Sequence, residues 1–84
     1  MKYPRNIWNQ LKGKSADELI RALKKDGWQL DISVGAEQVF RHPSGRRVSI
    51  HYHPHKTFGP NLLKALLEDI GWDVEKMKKL KLVK

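Results

Sequence analysis

The residues best suited to chemistry lie on two predicted β-strands that follow one another closely in the chain. Glu37 could remove a proton as a general base, and His51 could return one as a general acid. Arg41 or Arg47 could stabilise the charge of a crowded phosphate beside them. A base, an acid and a cation are together sufficient for metal-independent cleavage of a phosphodiester bond. The alternative is that Glu37 only forms a cross-strand ion pair with a neighbouring arginine.

The histidines at positions 51, 53 and 55 would share one face of a regular strand, a spacing compatible with a zinc site. Pro54 interrupts that strand, however, and no cysteine or nearby carboxylate completes a ligand set. We therefore expect no metal and no other cofactor. His53 and His55 instead fit a solvated basic loop that gains charge at mildly acidic pH and contacts RNA.

A third group of candidate residues surrounds the predicted start of a helix at Pro60. Free amide groups at a helix N-terminus attract phosphate, and Lys56, Asn61 and Lys64 lie beside this one. Arg46, in the turn between two predicted strands, is a further candidate RNA contact. The alternative is that these are ordinary surface side chains on the polar side of a helix.

The composition restricts the class of protein. Seventeen Lys and Arg residues against nine Asp and Glu residues give a chain of 84 residues a net charge of +8, which favours a polyanionic partner, with nucleic acid first. The alternative is a charge that only keeps the protein in solution. The lack of cysteine excludes disulfides. With no long apolar run and no signal-like N-terminus, we expect a cytoplasmic protein without a membrane partner.

Two main helices are predicted on either side of the strands. Residues 15–18, Ser-Ala-Asp-Glu, have the form of a capping box, and apolar residues follow at helical spacing until Gly27 ends the helix. Pro60 suits the first turn of the second helix, which carries a wide apolar stripe and stops at Gly71. The stripe consists of Leu62, Leu63, Leu66, Leu67 and Ile70.

The ends of the chain add shorter elements to one domain. Asp73 can cap a last helix that runs from Val74 to about Leu80. Residues 1–14 are predicted to be a basic N-terminal extension, and residues 15–84 a single domain. The extension either docks on the domain through Trp8 or contacts a phosphate backbone as a loose arm.

Alternation of apolar and polar residues predicts three strands. The first would bury one face, formed by Trp28, Leu30, Ile32 and Val34. In the second, from Glu37 to His42, we expect Phe40 rather than Val39 to point inwards, because it has more area to bury. The open face of the sheet would then carry Glu37, Val39, Arg41, Arg47, Ser49 and His51. Short connections favour an antiparallel sheet with both main helices on one side, an α+β fold.

The order of several motifs resembles that of the HicA toxin family. The matching runs are Asp17 to Trp28, Val39 to Val48, and Gly59 to Lys64 with Gly71 beyond them, so the similarity covers about residues 15–80. The resemblance implies a double-stranded-RNA-binding-domain-like α-β-β-β-α fold, here with extra short terminal helices. It also implies a toxin that cleaves messenger RNA without a metal and a HicB-type antitoxin that blocks it.

One departure from the family concerns the residue taken to be catalytic. The family motif at the start of the second strand is Gly-Ser-His, whereas this chain has Gly35-Ala36-Glu37. The family's catalytic residue is therefore not carried over, and fold and RNA binding transfer to this chain more directly than nuclease activity. We expect a HicA-like toxin of a type II toxin-antitoxin module that binds messenger RNA, and any endoribonuclease activity would have to use Glu37 in place of the family histidine. The alternatives are a non-catalytic RNA-binding module of the same fold and a basic domain that binds an acidic protein.

Overall fold

The architecture is a three-stranded antiparallel sheet between helical segments, as predicted. The computed structural model describes residues 3–53 and 57–84. Its elements in chain order are α1 (Arg5–Leu11), α2 (Ala16–Lys25), β1 (Gln29–Val34), β2 (Glu37–Arg41), β3 (Arg47–His51), α3 (Pro60–Ile70) and α4 (Val74–Lys79). None of the helices in these two ranges is long and apolar enough to span a membrane.

Some of the residues singled out from the sequence lie outside the described ranges. They are the loop residues Pro54, His55 and Lys56, together with the first two residues of the N-terminal extension. The RNA contacts expected of His55 and Lys56 therefore stay predictions.

Local sequence explains where α2 begins and ends. Ser15 Oγ accepts a hydrogen bond from the Glu18 amide at 3.3 Å, and the Glu18 carboxylate accepts one from the Ser15 amide at 3.4 Å. This reciprocal pair confirms the capping box. Gly27, at φ 95°, then turns the chain from the helix towards β1. The apolar face between these ends is buried, as predicted, through Ala16, Leu19, Ile20 and Leu23.

The sheet has the strand order β1-β2-β3 and one buried face. Phe40, Val48 and Ile50 are buried on it, which confirms the inward orientation of Phe40. They share one core with the predicted helix residues Leu19, Leu23, Leu63, Leu66 and Leu67. The residues that alternate with Val48 and Ile50 along β3 are exposed. Both main helices thus cover the inner face. The outer face of β2 and β3 is open except at Val39, which was expected to be open there but is only 9% exposed.

The predicted burial of β1 is wrong. Leu30, Ile32 and Val34 are 49%, 45% and 70% exposed, although Trp28, just before the strand, is buried. The register passes from Leu30 opposite Phe40 to Ile32 opposite Val39, so Asp31 is an extra residue in a β-bulge. A bulge reverses the alternation, and therefore places Ile32 and Val34 on the open face. Leu30 keeps the inner orientation, but it belongs to an edge strand.

The start and end of α3 follow the sequence prediction, but its apolar stripe is narrower. Pro60 is the first helical residue, and Gly71 ends the helix in the left-handed conformation, at φ 81°. The inward residues are Leu63, Leu66, Leu67 and Ile70. Leu62, the fifth predicted member, is 50% exposed. It therefore belongs to the surface near the helix N-terminus.

Both ends of the described chain pack onto the core. In α1, Ile7 and Leu11 are buried, and Trp8 packs against the same cluster, so the docked alternative holds for residues 3–14. Asp73 caps α4 by accepting a hydrogen bond from the Lys76 amide at 2.7 Å, as predicted. The apolar residues of this end, Met77, Leu80, Leu82 and Val83, are buried. The division of the chain at residue 14 stays a prediction.

Candidate functional site

Two pairs of charged or titratable residues stand directly opposite each other on the open face of the sheet. Glu37 of β2 is the partner of His51 of β3, and Arg41 is the partner of Arg47. All four side chains are exposed. The structure thus brings the predicted base and the predicted acid together, a relation that depends on strand register and that no local motif reveals.

The hydrogen-bond pattern around these pairs brings their side chains close. The Tyr52 amide donates to the Ala36 carbonyl at 2.7 Å, and the His42 amide donates to the Arg46 carbonyl at 2.9 Å. Antiparallel pairs alternate between hydrogen-bonded and non-hydrogen-bonded, so the pair next to each of these bonds is of the second kind. The side chains of Glu37 and His51 therefore start from Cβ atoms only about 4.5–5.5 Å apart.

The Glu37 carboxylate faces solvent without a partner among the described residues. Arg41, which could have paired with it, instead bonds Asp31 Oδ2 at 3.2 Å across the other side of β2. The cross-strand ion pair of Glu37 with an arginine is therefore not formed within residues 3–53 and 57–84. The β-bulge accounts for this pairing, because its extra residue, Asp31, is the carboxylate that binds Arg41.

The four predicted catalytic residues are not brought together at one point. Arg47 and His51 are four residues apart on β3, which corresponds to about 13 Å along the strand. Arg41 and Arg47, directly opposed with like charge, form a cationic end of the open face. The Glu37–His51 pair lies at the other end, so the two pairs would contact different parts of an extended ligand.

A hydrogen bond between side chains fixes the Glu37–His51 end to α2. Tyr52, which follows β3, donates from its hydroxyl to Asp17 Oδ1 at 2.5 Å. This bond to Asp17 raises the pKa of Tyr52 and ties the end of β3 to the first turn of α2. The strand ends that carry the pair are thereby positioned against a rigid helix.

The N-terminus of α3 lies beside the Glu37–His51 end. A pocket of about 130 Å³ is lined by His51 and His53 at the end of β3 and by Phe58, Gly59 and Leu62 at the start of α3. Gly59 caps α3 without a side-chain hydrogen bond, so the first-turn amides of Asn61 and Leu62 have no cap to satisfy them. Such amides favour an anion.

The predicted cations of the site occupy different places. Lys64 Nζ lies 5.4 Å from the ring centroid of Trp8, a cation–π contact on the outer side of α3. Arg46 lies at the opposite end of α3, where its Nη1 donates to the Asp69 carbonyl at 3.2 Å. Its guanidinium also fills the space beside Gly71, since an added Cβ there would come within 2.8 Å of it. Asn61 thus stands between the pocket residues Gly59 and Leu62, whereas Lys64 lies against α1 and Arg46 at the far end of α3.

The two described histidines of the possible zinc spacing are adjacent and parallel. The rings of His51 and His53 have centroids 6.2 Å apart and planes inclined by 3°. Within residues 3–53 and 57–84, no group of three or more His, Asp or Glu side chains is arranged to hold a metal ion. His55, the third member of the zinc spacing, lies outside the described residues.

A second polar cluster lies at the other end of the sheet and is internally bonded. Asp26 Oδ2 accepts hydrogen bonds from the indole nitrogens of Trp72 at 2.8 Å and Trp28 at 3.2 Å. Lys76 Nζ lies 3.1 Å from Asp26 Oδ1. Burial raises the pKa of Asp26, but the bonds from Trp72, Lys76 and Trp28 outweigh it and lower that pKa below its usual value.

His42 belongs to this second cluster. Its Nδ1 accepts from the Ser44 amide at 3.1 Å, so Nε2 carries the proton and donates to the Asp26 carbonyl at 3.2 Å. Its ring also contacts Trp28, at 5.2 Å between centroids. These bonds leave His42 a structural role in the turn after β2.

Sequence reasoning missed several residues of the sheet and of the pocket beside the Glu37–His51 pair. Phe58 and Thr57 had no predicted role, although an aromatic residue just before Gly59-Pro60 is a signal for a docked helix start. Leu62 was assigned to the core stripe of α3, and Asp31 to a regular strand. The roles of the predicted catalytic and RNA-binding residues themselves stay predictions.

The fold and the site define a class of protein before any comparison. A helix, a three-stranded antiparallel sheet and a second helix, with an open strand face, form a small α+β domain of the double-stranded-RNA-binding type. A family model described as the HicA toxin of bacterial toxin-antitoxin systems matches residues 16–72, about two thirds of the chain. The chain belongs to the HicA toxin family. A comparison with curated protein sequences found no significant match.

Proposed function

We propose that this chain is the toxin of a type II toxin-antitoxin module, and that it binds messenger RNA and cleaves it without a metal ion. The observation that supports this most is the direct opposition of Glu37 and His51 on the open face. Glu37 stands at the family's Gly-Ser-His position, and His51 supplies the histidine from the neighbouring strand. A carboxylate and an imidazole are a complete acid–base set for RNA cleavage.

The reaction follows from the two groups. The Glu37 carboxylate takes the proton of the 2′-OH, and the 2′-oxygen forms a bond to the adjacent phosphorus. The bond from phosphorus to the 5′-oxygen breaks, and the His51 imidazolium gives its proton to that leaving oxygen. The products are a 2′,3′-cyclic phosphate and a 5′-OH, so the substrate must carry a 2′-OH.

Charge on the reacting phosphate would be stabilised from the start of α3. The uncapped first-turn amides of Asn61 and Leu62 provide the positive end of an 11-residue helix beside His51. Lys64, one turn further along α3, adds a full positive charge to the same helix, with its Nζ against the ring of Trp8. These groups replace the clamp role first expected of Arg41 and Arg47.

The cationic pair at the far end of the open face supports an extended RNA ligand. Arg47 has no side-chain partner among the described residues, and it faces the like charge of Arg41. A phosphate bound there would relieve that repulsion. Arg47 lies about 13 Å from His51 along β3, so the phosphate bound there would be a different one from the reacting phosphate. Such contacts give affinity without sequence preference.

The proposed partner protein is a HicB-type antitoxin, which would bind the toxin and prevent cleavage. Membership of a toxin-antitoxin family implies such a context. The net charge of +8 favours an acidic contact surface on the antitoxin. The test is co-purification with a HicB-like product of a neighbouring reading frame and loss of RNA cleavage in the complex.

The experiment that tests the proposed reaction is incubation of the purified chain with labelled RNA, with and without EDTA. We expect cleavage in both conditions, cyclic or 3′-phosphate ends, and none with 2′-deoxy substrate. Glu37→Gln keeps the size of the side chain but removes the base, so cleavage should fall about 10²–10⁴-fold with RNA affinity near normal. Activity that vanishes in EDTA would contradict the proposal.

The variant Glu37→His asks whether the family's residue works in this site. It restores the histidine that the family motif places there, so we expect cleavage to rise. Its control is Glu37→Gln, which also removes the carboxylate but supplies no base. A folded, RNA-binding Glu37→His protein that cleaves no better than Glu37→Gln would reduce the proposed function to RNA binding alone.

A further inference from the structure

The pocket next to the Glu37–His51 pair has an apolar wall that the core does not need. Leu62 lies on it and is 50% exposed, although the other leucines of α3 named in the apolar stripe are buried. Phe58 packs partly against the core and presents the rest of its ring to the same pocket. An exposed leucine beside a half-buried ring costs free energy in water, and a ligand that covers both would recover it.

Two flat rings also line the pocket. The imidazoles of His51 and His53 are parallel within 3° and both border the pocket. Flat rings offer a face on which another planar, conjugated ring can stack. Histidine and phenylalanine are the kinds of side chain on which unpaired RNA bases stack in proteins.

The entrance of the pocket is fixed in place and carries a polar group. Thr57 forms an isolated antiparallel bridge with Ser15, the cap of α2, and so anchors the segment that leads to Phe58. Thr57 also lines the pocket, and its hydroxyl is a group that can donate or accept a hydrogen bond. No acidic side chain is among the described residues that line this pocket.

The size of the pocket limits the ligand. Its volume is about 130 Å³, well below the ~300–1,000 Å³ typical of sites for drug-sized molecules. A single planar base fits this scale better than a larger ligand. The uncapped amides of α3 at its rim suit the phosphate that a nucleotide carries next to its base.

From these observations we infer that the pocket is a nucleobase subsite, in which one unpaired base of the RNA stacks between the Phe58–Leu62 wall and His53. The inference rests on the proposed function, because it takes RNA to be the ligand. It adds a role that neither acid–base chemistry nor phosphate contact requires. Base stacking beside His51 would hold the scissile bond in line with the Glu37–His51 pair.

The test compares binding of two short strands of equal length and charge. One is RNA with 2′-O-methyl groups, which block cleavage, and the other is the same ribose-phosphate strand without bases. We expect the wild-type chain to bind the strand with bases more tightly by about 5- to 150-fold, the range for one stacked base. This ratio, rather than either affinity alone, isolates the contribution of the bases.

Leu62→Ala is the informative variant, and Leu30→Ala is its matched control. The two leucines are equally exposed, at 50% and 49%, but Leu30 lies on β1, away from the pocket. Leu62→Ala should lower the ratio by about 3- to 30-fold, and Leu30→Ala should leave it unchanged. Phe58→Leu, which keeps an apolar side chain without an aromatic face, should lower the ratio in the same direction.

The outcomes separate this inference from the function on which it rests. If the wild-type chain binds RNA and the ratio is the same in Leu62→Ala and Phe58→Leu as in wild type, the subsite alone is overturned. A ratio that falls equally in Leu30→Ala would also overturn it, because the effect would not belong to the pocket. A chain that binds neither strand at low salt would overturn the proposed function and the subsite together.

Discussion

The paired strands β2 and β3 form a ribbon with two ends, the turn end near His42 and the open end with Glu37 and His51. Both ends have a carboxylate and a histidine nearby, but these side chains are bonded differently. At the turn end, Asp26, His42 and Lys76 are bonded to one another or to indole and backbone groups. At the other end, Glu37 and His51 face each other in solvent, and no side-chain hydrogen bond or ion pair engages Glu37 among the described residues.

The difference shows what distinguishes a structural cluster from a candidate site. A carboxylate that accepts bonds from two tryptophans and a lysine stabilises the fold and has no spare capacity for a substrate. An opposed acid and base with no such partners contribute little to stability, so their proximity requires another explanation. The Glu37–His51 end is therefore the candidate functional site, although the turn end has the larger number of polar contacts.

The largest effect on stability is expected at the turn end, from Asp26→Ala. The substitution leaves the Trp28 and Trp72 indole N–H groups without an acceptor, which should lower the free energy of unfolding by about 2–5 kcal/mol. Its counterpart at the open end, Glu37→Gln, should change it by no more than about 0.5 kcal/mol. Urea denaturation of both variants checks the contrast, and equal losses would break it.

The fall in unfolding free energy at acidic pH, the acid limb of the stability curve, should also arise from the turn end. The pKa of Asp26 is lowered from its usual 3.8, so its contribution is complete above about that pH and is lost as the pH falls through the lower, folded-state value. Asp26→Asn should therefore flatten the fall in unfolding free energy at acidic pH. Glu18, whose pKa is also lowered, contributes a slope of the same sign. An identical acid limb in wild type and Asp26→Asn would contradict this assignment.

A smaller effect is expected from the bond that positions the open end. Tyr52→Phe removes the hydroxyl that donates to Asp17 and should lower the urea midpoint of unfolding, by less than Asp26→Ala does. If the bond also orients the Glu37–His51 pair, cleavage should fall while RNA affinity stays near normal. Measuring the two on the same preparation separates positioning from stability. Unchanged stability would show that the bond contributes nothing net.

The smallest effect concerns salt. Lys64→Gln should reduce the slope of log affinity against log salt concentration by about one unit, because one phosphate contact is lost. Lys79→Gln, an equal change of charge on α4, should leave the slope unchanged. Binding of one labelled RNA across a salt series measures both. The reverse result would move the RNA surface to the C-terminal end.

Elements defined by local signals could be predicted from the sequence. The Ser15 capping box, Pro60 at a helix start and Gly71 at a helix end each act within a few residues, so no knowledge of the rest of the chain is needed. The strands β2 and β3 could also be predicted from their alternation. The choice of Phe40 as the inward residue then identified the face that carries Glu37 and His51.

What could not be predicted depends on register and on distant partners. Nothing in the alternation of β1 shows that Asp31 forms a bulge, and this one residue exposes Ile32 and Val34. The bond between Trp72 and Asp26 joins residues 46 positions apart. The opposition of Glu37 and His51 likewise requires the pairing of β2 with β3, which the sequence constrains only through its short turn.

The measurement that tests the central claim most directly is RNA cleavage by two histidine variants, one from each end of the ribbon. His51→Ala removes the proposed acid, and His42→Ala removes a histidine whose ring is bonded within the turn cluster. With rates expressed per folded molecule, His51→Ala should lose about 10²–10⁴-fold of the cleavage, while His42→Ala stays close to wild type. Full activity in His51→Ala, or an equal loss in His42→Ala, would contradict a reaction at the Glu37–His51 end.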